Sequence, residues 1–178
     1  MSFETIARNY AEALFALGER GGRAAEYADL LDAVAHGIAA APTVGMVLMS
    51  PRVTKAQKSA LLAAALKNAP REFVLFLQAV VRRGRQGLFG EMAHEYQGLL
   101  DLKLNRVRAA VTVARPVDEA LRKRIGERLS QVVGKKVLPH FHEDPALLGG
   151  IVVRVGDRVF DGSIRRRMTV LRRTLLAR

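Results

Sequence analysis

Apolar positions recur every three to four residues through the first hundred residues of the chain and change to every second residue shortly after. In residues 4–20, Ile6, Tyr10, Ala13, Leu14 and Leu17 fall at helical spacing, and Gly18 with Gly21 and Gly22 marks the end of that helix. Residues 24–40 predict a second helix through Tyr27, Leu30, Leu31, Val34 and Ile38, stopped by Pro42. A short third segment, 44–49, runs into the turn at Ser50 and Pro51. Thr54 is placed to cap a fourth helix over 55–66, whose alanines imply close packing by a neighbour, and Asn68 with Pro70 ends it. Residues 71–83 predict a fifth helix with Phe73, Phe76, Leu77, Val80 and Val81, broken by Gly84. Residues 86–103 predict a sixth with Leu88, Met92, Tyr96, Leu99 and Leu100, in which Gly87, Gly90 and Gly98 lower the intrinsic stability.

The period changes at Asn105. Val107, Ala109, Val111 and Val113 alternate with other residues over 106–114, which predicts a half-buried strand. Pro116 and Asp118 introduce a helix to about Val133 with Leu121, Ile125, Leu129 and Val132 on one stripe, and residues 135–142 supply another strand. The expected class is therefore α+β: a six-helix bundle over residues 1–105, then a small α+β domain over 106–178 with a short sheet and two helices.

The last thirty residues carry the densest local instruction. Two short β-branched runs, 151–155 and 158–160, are separated by Gly156 and Asp157, so they predict a hairpin with Gly supplying the positive φ of a type II′ turn. Asp161, Gly162 and Ser163 stop the second strand, and Ser163 is placed to cap a helix over 164–177. Its apolar positions Ile164, Met168, Leu171 and Leu175 form one stripe, with Arg165, Arg166, Arg172 and Arg173 largely off it.

Charge adds an asymmetry that hydropathy does not show. Residues 1–105 hold 12 Lys/Arg against 10 Asp/Glu, whereas residues 106–178 hold 17 against 7, so nearly all of the net charge of +12 lies in the second part. The two parts accordingly face different partners. A basic domain invites nucleic acid, but Phe141 and Phe160 are its sole aromatics, a poor supply for base stacking; an acidic protein partner accounts for the charge equally well. Absence of Cys excludes disulfides and thiolate metal sites, residues 1–10 lack the basic start and apolar run of a secretory signal, and the most apolar windows, such as 73–81, are far shorter than the ~20 residues a bilayer span requires.

Candidate chemistry is sparse. His140 and His142, two apart on a strand, share a face, yet zinc needs further ligands and neither Glu143 nor Asp144 is assured the geometry. Gly149, Gly150 and Gly156 do not make a phosphate loop, because Gly150 opens a strand instead of a helix; they read as bulge and turn devices. No nucleophile–base pair or carboxylate pair stands out, so no enzyme, cofactor or metal is expected.

The ordered set Gly149 and Gly150, a hydrophobic strand, Gly156, then Asp161-Gly162-Ser163 and an Arg-rich terminal helix closely resembles the C-terminal signature of the δ subunit of bacterial F-type ATP synthase, the oligomycin-sensitivity-conferring protein family. Residues 10–15, YAEALF, and Ser50-Pro51 extend the resemblance over essentially the whole chain. It implies a non-catalytic stator subunit, one copy per complex, whose N-terminal domain caps the α3β3 head and whose C-terminal domain holds the b subunits. It further implies indirect membrane association through Fo, on the cytoplasmic face of the bacterial inner membrane, with no nucleic acid bound. By the same resemblance the first and fifth helices form a groove for the N-terminal helix of an α subunit, through Tyr10, Ala13, Leu14, Leu17, Phe73, Leu77, Val80 and Val81. Hydropathy alone reads these residues as core. If they line a groove, Leu77→Asp abolishes binding of an α peptide and leaves the fold intact. Arg165, Arg166, Arg172 and Arg173 are the corresponding expectation for steering acidic stretches of the b helices.

Overall fold

The structure is a computed structural model that describes residues 3–176. It is α+β and packs as two compact units that divide between Leu100 and Asp101, five residues ahead of the change in hydrophobic period. Among the described residues the first unit contains α1 (Phe3–Arg20), α2 (Ala24–Ala40), α3 (Pro42–Met49), α4 (Lys55–Ala65), α5 (Arg71–Arg82) and most of α6 (Phe89–Lys103). Residues 86–88 are a 3-10 turn and not the start of α6: Gln86 donates to the Leu48 carbonyl at 3.0 Å, and a Cβ on Gly87 would lie 2.8 Å from Met49 Cε, so this turn is drawn tight against α3.

Local signals explain the element ends. Thr54 and Gln57 form a reciprocal capping box at the start of α4, with the Gln57 N–H donating to Thr54 Oγ1 at 3.2 Å. Pro42 sits in the first turn of α3, where its missing N–H costs nothing. Gly18, in contrast, does not end α1. The helix continues to Arg20, and Gly18 is buried at a close approach where a Cβ would meet Tyr96 Oη at 2.9 Å and Ala24 Cα at 3.0 Å.

One core joins α1, α2, α4, α5 and α6. Tyr27, Leu31, Phe73, Leu77, Val80, Met92 and Tyr96 are all fully buried there. Its polar groups are satisfied at the rim: Tyr96 donates to the Ala24 carbonyl at 2.9 Å and Tyr27 to Glu72 Oε2 at 3.3 Å. Burial pushes both phenols above their ordinary range, and the neighbouring Glu72 carboxylate adds to the shift at Tyr27. No single helix among the described residues is long and apolar enough to cross a membrane; α2 and α3 would suffice only together, and they are bent by 99°.

The second unit is built on a four-stranded sheet in the order β2-β1-β3-β4, from β1 (Arg106–Val113), β2 (Lys136–Glu143), β3 (Ile151–Val155) and β4 (Arg158–Asp161). β1 and β2 run parallel and are joined by α7 (Glu119–Val133), whereas β1–β3 and β3–β4 are antiparallel. Asp118 caps α7 through the Leu121 N–H at 2.7 Å, and Gly134 closes it in the left-handed conformation. Ala109, Val111, Val113, Val137, Val153 and Val155 line one face under Ile125, Leu129 and Val133 of α7. The opposite face carries Arg108, Ala110, His140, His142 and Arg154 into solvent. Pro139 is tolerated because β2 is an edge strand. Asp101, itself 8% exposed, accepts from Arg106 Nε at 2.6 Å and Arg108 Nε at 2.8 Å and so ties down the entry to β1.

Candidate functional sites

The α1 helix carries two apolar stripes, and the fold buries the smaller one. Ala7, Ala11, Leu14 and Gly18, spaced i, i+4, i+7 and i+11, are sealed in the core. The small side chains at Ala7, Ala11 and Gly18 let α1 approach its neighbours closely, which raises packing density. Of the adjacent stripe, Ile6, Tyr10 and Leu17 are half-buried and Ala13 is exposed. Tyr10 meets Phe76 of α5 edge-to-face with ring centroids 6.2 Å apart, so the two helices are in contact along this stripe.

The eight residues expected to line a groove between these helices therefore separate. Leu14, Phe73, Leu77 and Val80 have no exposed surface and Val81 is 1% exposed, so these five belong to the core and offer no surface in this structure. Tyr10, Ala13 and Leu17 remain reachable. The expectation that Leu77→Asp would spare the fold is corrected on the same ground, because it would place a carboxylate in a sealed apolar site. Sequence reasoning left out Phe76 and the exposed Leu75 of α5 from the surface. A signal for the small stripe was present, since Ala7, Ala11 and Gly18 repeat at helical spacing.

At the other end of the chain, α8 (Ile164–Leu176) is held at its start and bare along its length. Asp161 Oδ1 accepts from the Ser163 N–H at 2.9 Å, and Ser163 Oγ accepts from the Arg166 N–H at 3.2 Å. The Ser163 N–H holds the Asp161 carboxyl below the usual carboxylate range. Gly150, with φ +82°, lies so close to Gly162 that a Cβ would strike the Gly162 carbonyl oxygen and come within 3.1 Å of Ser163 Cα. Gly149 accommodates Ile164, whose N–H donates to the Gly149 carbonyl at 3.0 Å. In the hairpin Gly156 takes φ +55° while Asp157 keeps a negative φ, the type II′ sign pattern. Gly149, Gly150, Asp161, Gly162 and Ser163 thus form one junction that launches α8, and Gly156 turns the hairpin at the other end of β3.

Beyond that junction α8 has no buried residue. Ile164, Met168, Leu171 and Leu175 are 44–75% exposed along with Val170 and Leu176. Arg165, Arg166, Arg172 and Arg173 are exposed as well. Ala177, the expected last helical residue, lies outside the described residues.

The remaining candidates show no constellation. His140 and His142 are exposed on the open sheet face, and no group of three or more His, Asp or Glu side chains among the described residues is placed to hold a metal ion. Of the two aromatics in the second unit, Phe141 is half-buried with the Arg122 guanidinium 5.2 Å over its ring, which leaves Phe160 as the exposed one.

Comparison with known proteins covers almost the full chain. A family model described as "ATP synthase delta (OSCP) subunit" matches residues 6–175. A protein named ATP synthase subunit delta from Gemmatimonas aurantiaca is 46% identical over 173 residues, spanning 97% of this chain and 94% of that one. One of the same name from Anaeromyxobacter sp. strain Fw109-5 is 38% identical over 98% of this chain and 99% of its own. Among solved structures, a chain of the Toxoplasma gondii mitochondrial ATP synthase hexamer shares the fold, with a TM-score of 0.71 at 17% identity over 97% of this chain and 98% of that chain.

Proposed function

Because the chain belongs to the ATP synthase delta (OSCP) subunit family, it is a non-catalytic stalk subunit of F-type ATP synthase, and we propose that it works as a clamp with two separate grips. Rotor torque does nucleotide chemistry only if the catalytic head is kept from turning with the rotor. Two attachments in one chain meet that need, because once the first is made the second becomes an intramolecular event at high effective concentration.

The first grip is the α1 face of the N-terminal six-helix unit. Tyr10, Ala13 and Leu17, with Phe76 beside Tyr10, receive an amphipathic helix from the N-terminal segment of an α subunit on the α3β3 head. Leu14, Phe73, Leu77, Val80 and Val81 support that face from within. The second grip is α8, which takes the C-terminal helices of the b subunits. One copy per complex sits on the cytoplasmic side of the bacterial inner membrane and reaches the membrane only through Fo.

The observation that carries this reading is the unburied stripe of α8, an amphipathic helix of 13 residues left uncovered among the described residues. Burying an aliphatic side chain contributes at most ~1.5–3 kcal/mol, against roughly 0–1 kcal/mol for an exposed ion pair. The apolar stripe therefore supplies affinity, and Arg165, Arg166, Arg172 and Arg173 set association rate and orientation. Titration of the full chain with a helical peptide from the b C-terminus tests both parts. Leu171→Asp is expected to weaken binding at least tenfold, and changing the four arginines to Ala is expected to slow association and flatten its salt dependence. Unchanged binding by Leu171→Asp removes the grip, and indifference to salt and to the arginine changes removes the steering.

A further inference from the structure

The α8 helix bears charge of one sign only. Its 13 residues, IRRRMTVLRRTLL, hold five arginines and no Asp or Glu, and every one of them is exposed. At ~100° per residue, Ile164, Met168, Leu171 and Leu175 fall within an arc of about 60°. Arg167 stands about 70° to one side of the centre of that arc, and Arg172 and Arg165 stand about 70° and 90° to the other. The apolar stripe therefore has cations along both of its borders, with Arg166 and Arg173 behind it.

A protein partner that fixes a register ordinarily offers both signs of charge and meets both in return. A helix with cations alone suits a surface that is negative throughout. Nucleic acid is such a surface, yet a phosphate backbone has no use for four exposed apolar side chains. Anionic phospholipid uses both features. We infer that α8 of the free chain docks flat on an anionic lipid surface. The stripe enters the boundary between headgroups and acyl chains, while Arg165, Arg167 and Arg172 lay their stems beside it and keep their guanidinium groups at the phosphates. Arg166 and Arg173 add attraction through the field of the surface, which reaches about a Debye length. The helix is about 20 Å long at ~1.5 Å per residue, so it lies along the surface, and its 13 residues are too few to cross a bilayer that requires ~20. Within the complex this helix belongs to the b subunits. The inference concerns the chain without them and does not depend on that assignment.

Flotation of the full chain with vesicles of phosphatidylcholine alone, and of phosphatidylcholine mixed with phosphatidylglycerol, tests it. No b peptide is present, so this inference and the b-subunit grip can fail separately. The chain is expected to float with the mixed vesicles and to stay in solution with phosphatidylcholine alone. Leu171→Asp should weaken binding about tenfold or more, and Arg165→Ala, Arg167→Ala and Arg172→Ala together should weaken it about a hundredfold. All four positions are exposed, so unchanged amide signals of β1 and β3 verify that the variants fold. Flotation with neither vesicle, or with both alike, overturns the inference. Binding that Leu171→Asp leaves at full strength is adsorption by charge and overturns the docked helix. Tighter retention by duplex DNA than by the mixed vesicles, at the same salt and phosphate concentration, assigns α8 to nucleic acid and overturns the lipid.

Discussion

The junction that launches α8 is tested most directly by Gly150→Ala. Two effects combine at this position. The backbone at φ +82° is one that L side chains rarely adopt, and the added methyl would collide with the Gly162 carbonyl oxygen and crowd Ser163 Cα. Those atoms are backbone and cannot rotate away as a flexible side chain would. The conformational part alone is about 1–2 kcal/mol, and overpacking adds about 1–3 kcal/mol, for a total of roughly 2–5 kcal/mol. Gly134→Ala separates the two, because Gly134 has φ +72° but nothing within 4 Å of an added Cβ; it should cost only the ~1–2 kcal/mol of the conformational part. Urea unfolding of each full-length variant, read through amide signals of β1 and β3, gives the two losses on one scale. Hydrogen exchange should then show where Gly150→Ala acts: the Gly162 N–H, which donates to Ile151 at 2.9 Å, and the Ile164 N–H lose protection first. Equal losses for the two variants would falsify the claim that the close approach at Gly150 adds to the cost of its dihedral angle in holding the base of α8.

Three further outcomes follow from the same structure. Ala13→Glu, on the exposed part of α1, should change stability by less than about 0.5 kcal/mol and abolish binding of an α-subunit N-terminal peptide, whereas Leu77→Asp, in the sealed core, should cost about 4 kcal/mol or more; calorimetry beside peptide titration distinguishes them, and tight peptide binding by folded Ala13→Glu counts against the grip. Asp101→Asn, which leaves Arg106 and Arg108 without their shared carboxylate, should lose about 1–2 kcal/mol, less than a fully buried pair because the two arginine side chains are 22% and 45% exposed; a salt-insensitive or absent loss in urea unfolding refutes the clamp. Asp161 is ionised in its contact with the Ser163 N–H and its folded pKa is lowered, so its contribution is present above the ordinary Asp value of about 4 and disappears as pH falls through the lower folded value. The melting-temperature gap between wild type and Asp161→Asn should accordingly be widest near neutrality and close as the pH falls below the ordinary Asp range; a gap independent of pH contradicts the assignment.

Much of this molecule follows from the chain itself, and the rest does not, for an identifiable reason. Periodicity and turn chemistry are local. The alternation at Ala109, Val111 and Val113, the box at Thr54 and Gln57, and the sign change across Gly156 and Asp157 are all set by residues within a few positions, and the corresponding strand, cap and hairpin are found where those residues lie. Even the junction at Gly149, Gly150 and Asp161 to Ser163 is legible as a motif, although the collision that makes Gly150 irreplaceable by Ala needs two segments to meet. Burial is not local in this sense. On α1 the stripe through Ile6, Tyr10 and Leu17 is the more hydrophobic, yet the stripe through Ala7, Ala11 and Gly18 is sealed, because a smaller side chain allows a neighbouring helix closer and that distance belongs to both helices. For the same reason only the folded chain reveals that Phe76 stands beside Tyr10, that Ser59 Oγ is buried with no hydrogen-bond partner among the described residues, and that an amphipathic stripe as regular as that of α8 finds no covering surface among them.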